Sequence, residues 1–497
     1  MAPCLNHLRI ASLAFVLTAS YCQPSHASSN FSDQKAAPAT GTIALGSAHP
    51  LAPGFLGANI DGAYNPSGTY QWTDSKTISA IKALSLQSLR FPGGTDANYW
   101  DWQTGWVYSA FPTGAGPFKE TLAKFVPLAK LTGPTIFDLN VMTYNNTIAA
   151  PSQQSEMVKN QIAMLHEAER SGIPVNFIEL GNEFYLGINP NNPDVNYLRR
   201  FPTGTAYANE MNDWIMDLKA AFPKSEIAVV GQAYQGGTWN PEVLSTISGA
   251  DAMTLHLYQR VTTSEDPVSI LSKAFTQWAR FDANNIQPLA AKKMSAWITE
   301  FDFVDHTSDV SYASTWLHGL YDAEMLIQFL SEPAVTQVDI YNVHSQSKRS
   351  SLIYDGTEKF GPHGAVKTEA GALSAAGQVM SIFGQALNKA SSVAPISVSG
   401  LAPISPAPAE TRFTPFPPVT GAAITYGATK SKALVLVNLS AQPVTLSYGS
   451  GTAQIQSISA PSLSTNIVTA TSLTSAKRKI SLRQFNIPAY SMNYLLF

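Results

Sequence analysis

Cysteine is almost missing from the chain: Cys4 and Cys22 are the two among 497 residues. Both fall within the first 27 residues, which read as an export signal. Arg9 precedes an apolar run from Ile10 to Ala19, and Ser25-His26-Ala27 fits a small-x-small cleavage site. The mature chain would then hold no thiol, which excludes disulfides, thiol catalysis and cysteine-ligated metal together. Charge is scarce as well, at 13% of residues with a net of −3 and no basic run. Neither nucleic acid nor an anionic membrane surface is an expected partner. The apolar run is too short to span a bilayer stably and no longer one follows, so a secreted or periplasmic protein without a membrane partner after signal cleavage is expected. No Gly-rich phosphate fingerprint follows the first strand, no His-Glu-x-x-His spacing occurs, and no Gly-x-Ser-x-Gly elbow is present. A dinucleotide fold, a metal centre and a serine esterase are disfavoured in turn, and no cofactor is expected.

What the chain does have is apolar material, 45% of residues, enough for a large core. Its length points to a barrel plus a smaller domain. Residues 28–40 are a polar linker, and Gly41 to His49 form one edge strand that pairs with the C-terminal domain. Eight short apolar runs follow: Phe55–Ile60, Ser88–Pro92, Thr135–Val141, Val175–Leu180, Glu226–Val230, Ala252–Leu257, Met294–Thr299 and Thr336–Tyr341. Helical patterns separate them, and Val366 to Leu387 reads as the eighth helix. The expected fold is a (β/α)₈ TIM barrel over residues 41–390 with a C-terminal β-sandwich over 391–497. Sandwich strands are expected at Ala422–Tyr426, Ala433–Asn438, Val444–Tyr448, Ile480–Phe485 and Ser491–Phe497, after a Pro-, Ser- and Ala-rich stretch from Val393 to Pro418.

Two glutamates end barrel strands, Glu183 after the fourth in Leu180-Gly181-Asn182-Glu183 and Glu300 after the seventh in Trp297-Ile298-Thr299-Glu300. A carboxylate at the C-terminal mouth of a barrel strand is placed for chemistry, not packing. Two of them match the acid and the nucleophile of a retaining glycosidase. Asn182 would hold the sugar beside the reacting carbon, and Gly181 lets the backbone bend. Arg90, at the end of the second strand, pairs with Glu300. His256 and Tyr258 share a face at the end of the sixth strand. Trp100, Trp102 and Trp106 are candidates for a sugar-stacking wall.

The segments Leu-Arg-Phe-Pro-Gly-Gly-Thr, Glu-Leu-Gly-Asn-Glu, Leu-His-Leu-Tyr and Ile-Thr-Glu-Phe resemble the clan A glycoside hydrolases, nearest to the heparanases and bacterial β-glucuronidases. The α-L-arabinofuranosidases are near relatives in pattern. The resemblance implies an oligo- or polysaccharide substrate, with Glu183 as acid/base, Glu300 as nucleophile and Asn182 on the sugar 2-hydroxyl. It places Tyr258 on the nucleophile, and Thr95 with Asp61 or Asn59 on the non-reducing sugar. The chain departs from heparanases just after the nucleophile, where Phe301-Asp302-Phe303-Val304-Asp305 replaces a Tyr-Gly-Gly segment. Asp302 and Asp305 would repel a uronate; Lys348 and Arg349 are candidates for a replacement site. The alternatives are a neutral-sugar glycosidase such as an α-L-arabinofuranosidase, and a carbohydrate-binding protein without turnover.

Overall fold

A computed structural model describes residues 39–60, 74–107, 118–233, 237–261, 265–305, 312–344, 351–359, 365–406, 413–427, 431–469 and 471–497. The expected signal segment, most of the expected linker, Asp61, Lys348 and Arg349 lie outside them. Eight parallel strands close into a barrel: β1 (Leu56–Asn59), β2 (Ser88–Phe91), β3 (Thr135–Asp138), β4 (Val175–Glu179), β5 (Glu226–Val230), β6 (Ala252–Val261), β7 (Ser295–Asp305) and β8 (Val335–Ile340). Each pairs with its neighbours in chain order, and β8 returns to β1. Around them run α1 (Ser75–Leu84), α2 (Leu122–Ala129), α3 (Gln154–Arg170), α4 (Gly204–Ala221), α5 (Trp239–Thr246), α6 (Pro267–Phe281), α7 (Trp316–Ser331) and α8 (Ala375–Leu387).

Local chemistry sets the helix starts. Asp74, Thr203, Asp266 and Ser374 each accept a backbone N–H from the first turn of the helix they precede, relieving donors with no partner inside it. α8 starts at Ala375, capped by Ser374, and not at the expected Val366, because Ala365–Lys367 instead pairs antiparallel with Thr357–Lys359. No helix among the described residues is long and apolar enough to cross a membrane.

The C-terminal β-sandwich packs against α7 and α8. Its strands alternate two apolar faces: Leu434, Leu436 and Leu495 fill the space between its sheets, while Ala433, Val435 and Val437 join the barrel-side core. Ala39–Leu45 belongs to this sheet system, between Ala390–Ser399 and Val444–Ser447, so it is an interior strand and not the edge strand expected. It also starts within the segment read as linker.

Several polar contacts tie the two parts together, among them Trp316 Nε1 donating to Tyr490 O and the Tyr426 hydroxyl donating to Ala386 O, each at 2.7 Å, and one of them is titratable. Glu324 on α7 is fully buried, accepts from the Thr420 hydroxyl on the sandwich strand Val419–Tyr426, and accepts from Gln328 Nε2 at 2.5 Å. Burial pushes its carboxyl up to about 7, against the two hydrogen bonds. The folded chain then holds this proton up to about 7, while an unfolded glutamate releases it near 4.5. The stabilisation is full below 4.5 and is lost as pH rises toward 7, at a slope of up to about 1.4 kcal/mol per pH unit. Glu324→Gln is expected to flatten this slope. Thermal melts of both proteins between about pH 5 and 7.5 should converge at the acid end and diverge above it; parallel curves would contradict the assignment.

Candidate active site

The alternation of β-strands builds the floor of the site. Ile136, Phe177, Ala228, Ala252 and Trp297 form an apolar cluster inside the barrel. Two residues further along their strands, the same faces carry Asp138, Glu179 and Thr299. A charged layer therefore sits on an apolar plug.

Arg90, at the C-terminal end of β2, organises that layer and is wholly buried. Its Nε donates to Glu179 Oε2 at 2.6 Å, and Nη2 to Glu179 Oε1, Asp138 Oδ2 and Asn182 Oδ1, each at 2.9 Å. Nη1 donates to Asn59 Oδ1 at 2.8 Å and to Glu300 Oε1 at 2.9 Å. The guanidinium fork is fully used. Burial pushes the Asp138 and Asp339 carboxyls well above the usual carboxylate range, with neighbouring carboxylates adding to it. One cation among four carboxyls favours protons on these two. Glu179, Asp138 and Asp339 were not among the expected site residues. An ionisable side chain inside an apolar run, as in Phe177-Ile178-Glu179-Leu180, is the signal that marks them.

The turn after β4 delivers Asn182 and Glu183. Gly181 takes φ +86°, and a Cβ there would come within 2.4 Å of Phe184. Glu183 itself is left-handed at φ 52°, ψ 30°, a conformation uncommon for a residue with a Cβ. Asn98 clamps the backbone of Asn182 from both sides, accepting from its N–H at 3.1 Å and donating to its carbonyl at 2.8 Å. With Oδ1 held by Arg90, Asn182 Nδ2 is buried and makes no hydrogen bond among the described residues.

Glu183 Oε1 accepts from the Tyr185 hydroxyl at 2.7 Å and lies 2.9 Å from His256 Nδ1. The same Nδ1 lies 3.4 Å from Glu300 Oε2, which also accepts from the Tyr258 hydroxyl. Burial works against charge on His256, but Glu300 and the hydrogen bond to Glu183 outweigh it and raise its pKa. An oxygen of Glu183, an oxygen of Glu300 and a His256 nitrogen lie within 4.8 Å of one another. Carboxyls whose oxygens approach this closely fall nearer the roughly 5–5.5 Å of retaining glycosidases than the ~6.5–9.5 Å of inverting ones. The three residues also form a donor set that could hold a metal ion, as do Asp302, His318 and Asp322.

The structure thus gathers Glu183, Glu300, Asn182, Arg90, His256, Tyr258 and Asn59. Asn59 is committed to the protein, donating to Thr299 O at 2.7 Å and Ile340 O at 3.3 Å and accepting from Arg90. Thr95 is half-buried in the short helix Gly94–Ala97 that follows Arg90. The three tryptophans go separate ways: Trp100 is buried edge-on to Phe91, Trp102 donates to Asn160 Oδ1 at 2.8 Å, and Trp106 is exposed beneath Lys119. Asp302 does not face a substrate. Its Oδ1 lies 2.9 Å from His318 Nε2 with both side chains fully buried, which removes the repulsion expected of it. Tyr185 and Asn98 were not anticipated, because loop geometry brings them in.

No protein-family model matches the chain, and no curated protein matches it. Solved structures do. An α-L-arabinofuranosidase from Thermotoga maritima superposes with a TM-score of 0.64 at 14% identity, over 93% of this chain and 99% of that one. The GH51 arabinofuranosidase from Xanthomonas axonopodis pv. citri gives 0.68 at 15% identity, over 92% and 99%. A 4-O-α-L-rhamnosyl-β-D-glucuronidase from Fusarium oxysporum 12S gives 0.62 at 14%, over 92% and 100%. The likeness is one of fold. It confirms the (β/α)₈ barrel with a C-terminal sandwich over nearly the whole chain.

Proposed function

We propose that the chain is an exported retaining glycoside hydrolase acting on a neutral sugar, with α-L-arabinofuranosides as the leading substrate class. The observation that carries this is the pair of carboxylates at the ends of β4 and β7, within 4.8 Å of each other. Glu300 attacks the anomeric carbon as the glycosidic bond breaks, and Glu183 gives its proton to the departing oxygen. Glu183 then takes a proton from water, which attacks the same carbon and releases Glu300. Arg90 and Tyr258 hold one Glu300 oxygen each. The unpaired Asn182 Nδ2 offers a donor to a hydroxyl next to the reacting carbon, since a buried amide without a partner is costly unless a ligand uses it.

The glucuronidase and heparanase reading is the weaker one. A uronate would need free donors for its carboxylate in the sugar pocket, and Arg90 has none left to offer. Arabinofuranosidases recur among the structural neighbours, which supports the neutral sugar.

A panel of aryl glycosides (arabinofuranoside, glucuronide, xyloside, glucoside, galactoside) tests the reading. The arabinofuranoside should be hydrolysed fastest. On that sugar Glu183→Gln should cost about 10²–10⁴-fold with a poor leaving group, yet under about tenfold with a dinitrophenyl one. Equal losses would remove the acid role, and an inert wild type would favour a carbohydrate-binding protein.

A further inference from the structure

Beside the acid lies a cavity of about 730 Å³ that the chemistry above leaves unused. Its walls include Tyr185, Ile188 and Asn189 from the turn after β4, Gln232 beyond β5, and Arg260 near the end of β6. The volume falls in the range of ligand sites, roughly 300–1,000 Å³. Its position follows from the proposed mechanism. Glu183 protonates the departing oxygen, so whatever that oxygen carries lies on the Glu183 side. Tyr185 is common to both, since its hydroxyl donates to Glu183 at 2.7 Å and the residue also lines the cavity.

The charge in the cavity comes from Arg260, an exposed residue. Arg90 and Arg200 are buried against carboxylates. Arg260 is different. Its carbonyl accepts from Gln259 and Lys273, but its guanidinium makes no hydrogen bond or ion pair among the described residues. Among the described residues, no aspartate or glutamate lines the cavity. The amides on the walls add donors: Asn189 Oδ1 is taken by the Asn191 N–H at 3.1 Å, which leaves its Nδ2 to donate. A guanidinium fork with no internal anion and amide donors nearby matches a carboxylate, which it can bind in bidentate fashion.

We propose that this cavity is the leaving-group subsite and that Arg260 selects leaving groups bearing a carboxylate, such as a uronic acid. The inference rests on the glycosidase reading. It divides the site by charge: the sugar being transferred is neutral, because Arg90 is saturated, and the group it leaves is anionic, because Arg260 is not.

The test uses two disaccharides with the same transferred sugar, chosen from the aryl-glycoside panel, linked either to galacturonic acid or to its methyl ester. The wild type should prefer the acid in kcat/KM. Arg260→Ala should lower the acid-to-ester ratio about tenfold, and raising NaCl to about 0.5 M should shrink the wild-type preference. An unchanged ratio, with both substrates still cleaved, would overturn the subsite assignment while leaving the glycosidase reading intact. A wild type that cleaves neither disaccharide nor any aryl glycoside would overturn both. Comparing substrates within one variant removes any general effect of the substitution on folding.

Discussion

Glu300→Gly is expected to lower kcat by about 10⁴-fold or more on aryl glycosides, the scale seen when a covalent nucleophile is removed. Sodium azide should restore turnover, entering the space the carboxylate left and giving a glycosyl azide of inverted configuration. Glu300 is one of several carboxyls around Arg90, and Glu179 and Asp138 remain to hold the guanidinium. The variant should therefore fold, which circular dichroism and thermal melting can check. Azide rescue is the decisive part, because a merely structural carboxylate would not be replaced by a diffusible nucleophile. The same salt acting on a Glu183→Ala variant should instead give the azide of retained configuration, since there it replaces the water of the second step.

Arg90→Met should be the most damaging single change to the fold and the site together. The side chain is wholly buried and carries six hydrogen bonds to five residues on four other strands or their ends. Removing one partner of a buried ion pair costs about 3–5 kcal/mol, because the charge left behind has no counter-ion. Here that charge is shared by Glu179 and Glu300. Urea unfolding should show a loss of this size, and hydrolysis should be lost with it, as Glu300 and Asn182 both lose their anchor. Arg90→Lys should rescue neither fully: an ammonium is a point charge and cannot reproduce the planar fork. A Met variant of wild-type stability would mean that the carboxyls hold enough protons to need no cation.

The barrel was legible because its strands are short apolar runs whose ends carry the chemistry. Glu226–Val230 has the bounds expected from sequence. β6 and β7 run on to Val261 and Asp305, well past their apolar stretches, because they keep pairing beyond the rim of the barrel, where polarity no longer marks a strand. The sandwich was read less completely. Thr452–Ser459 mixes Thr, Gln and Ser with Ala453, Ile455 and Ile458, a weak signal, and Thr474–Ser481 is a nearly all-exposed strand carrying Lys477, Arg478 and Lys479. Its charge suits a sheet edge and hides it from hydrophobic periodicity. The expected strand Ile480–Phe485 in fact spans the turn between two strands. Ala390–Ser399 was hidden by Pro395 and its serines.

In the site, residues at or just past strand ends could be placed from strand position, which is why Glu183, Glu300, Arg90, His256 and Tyr258 were expected together at the barrel mouth, where the fold gathers them. What escaped was the inward-facing layer below them and the loop residues. Asp138 and Glu179 each sit inside an apolar run, where their purpose depends on Arg90 lying 48 and 89 residues away. Asn59 was expected on the sugar and is instead held by Arg90 and two backbone carbonyls from β7 and β8.

The most direct measurement is covalent trapping. The protein is incubated with a 2-deoxy-2-fluoro glycoside of the sugar it hydrolyses fastest, digested, and read by tandem mass spectrometry. A glycosyl label on the peptide carrying Glu300, abolished in Glu300→Gly, is the expected result. A label on Glu183 or any other residue, or hydrolysis of the parent substrate with inversion and no label at all, would contradict the double displacement proposed for this site.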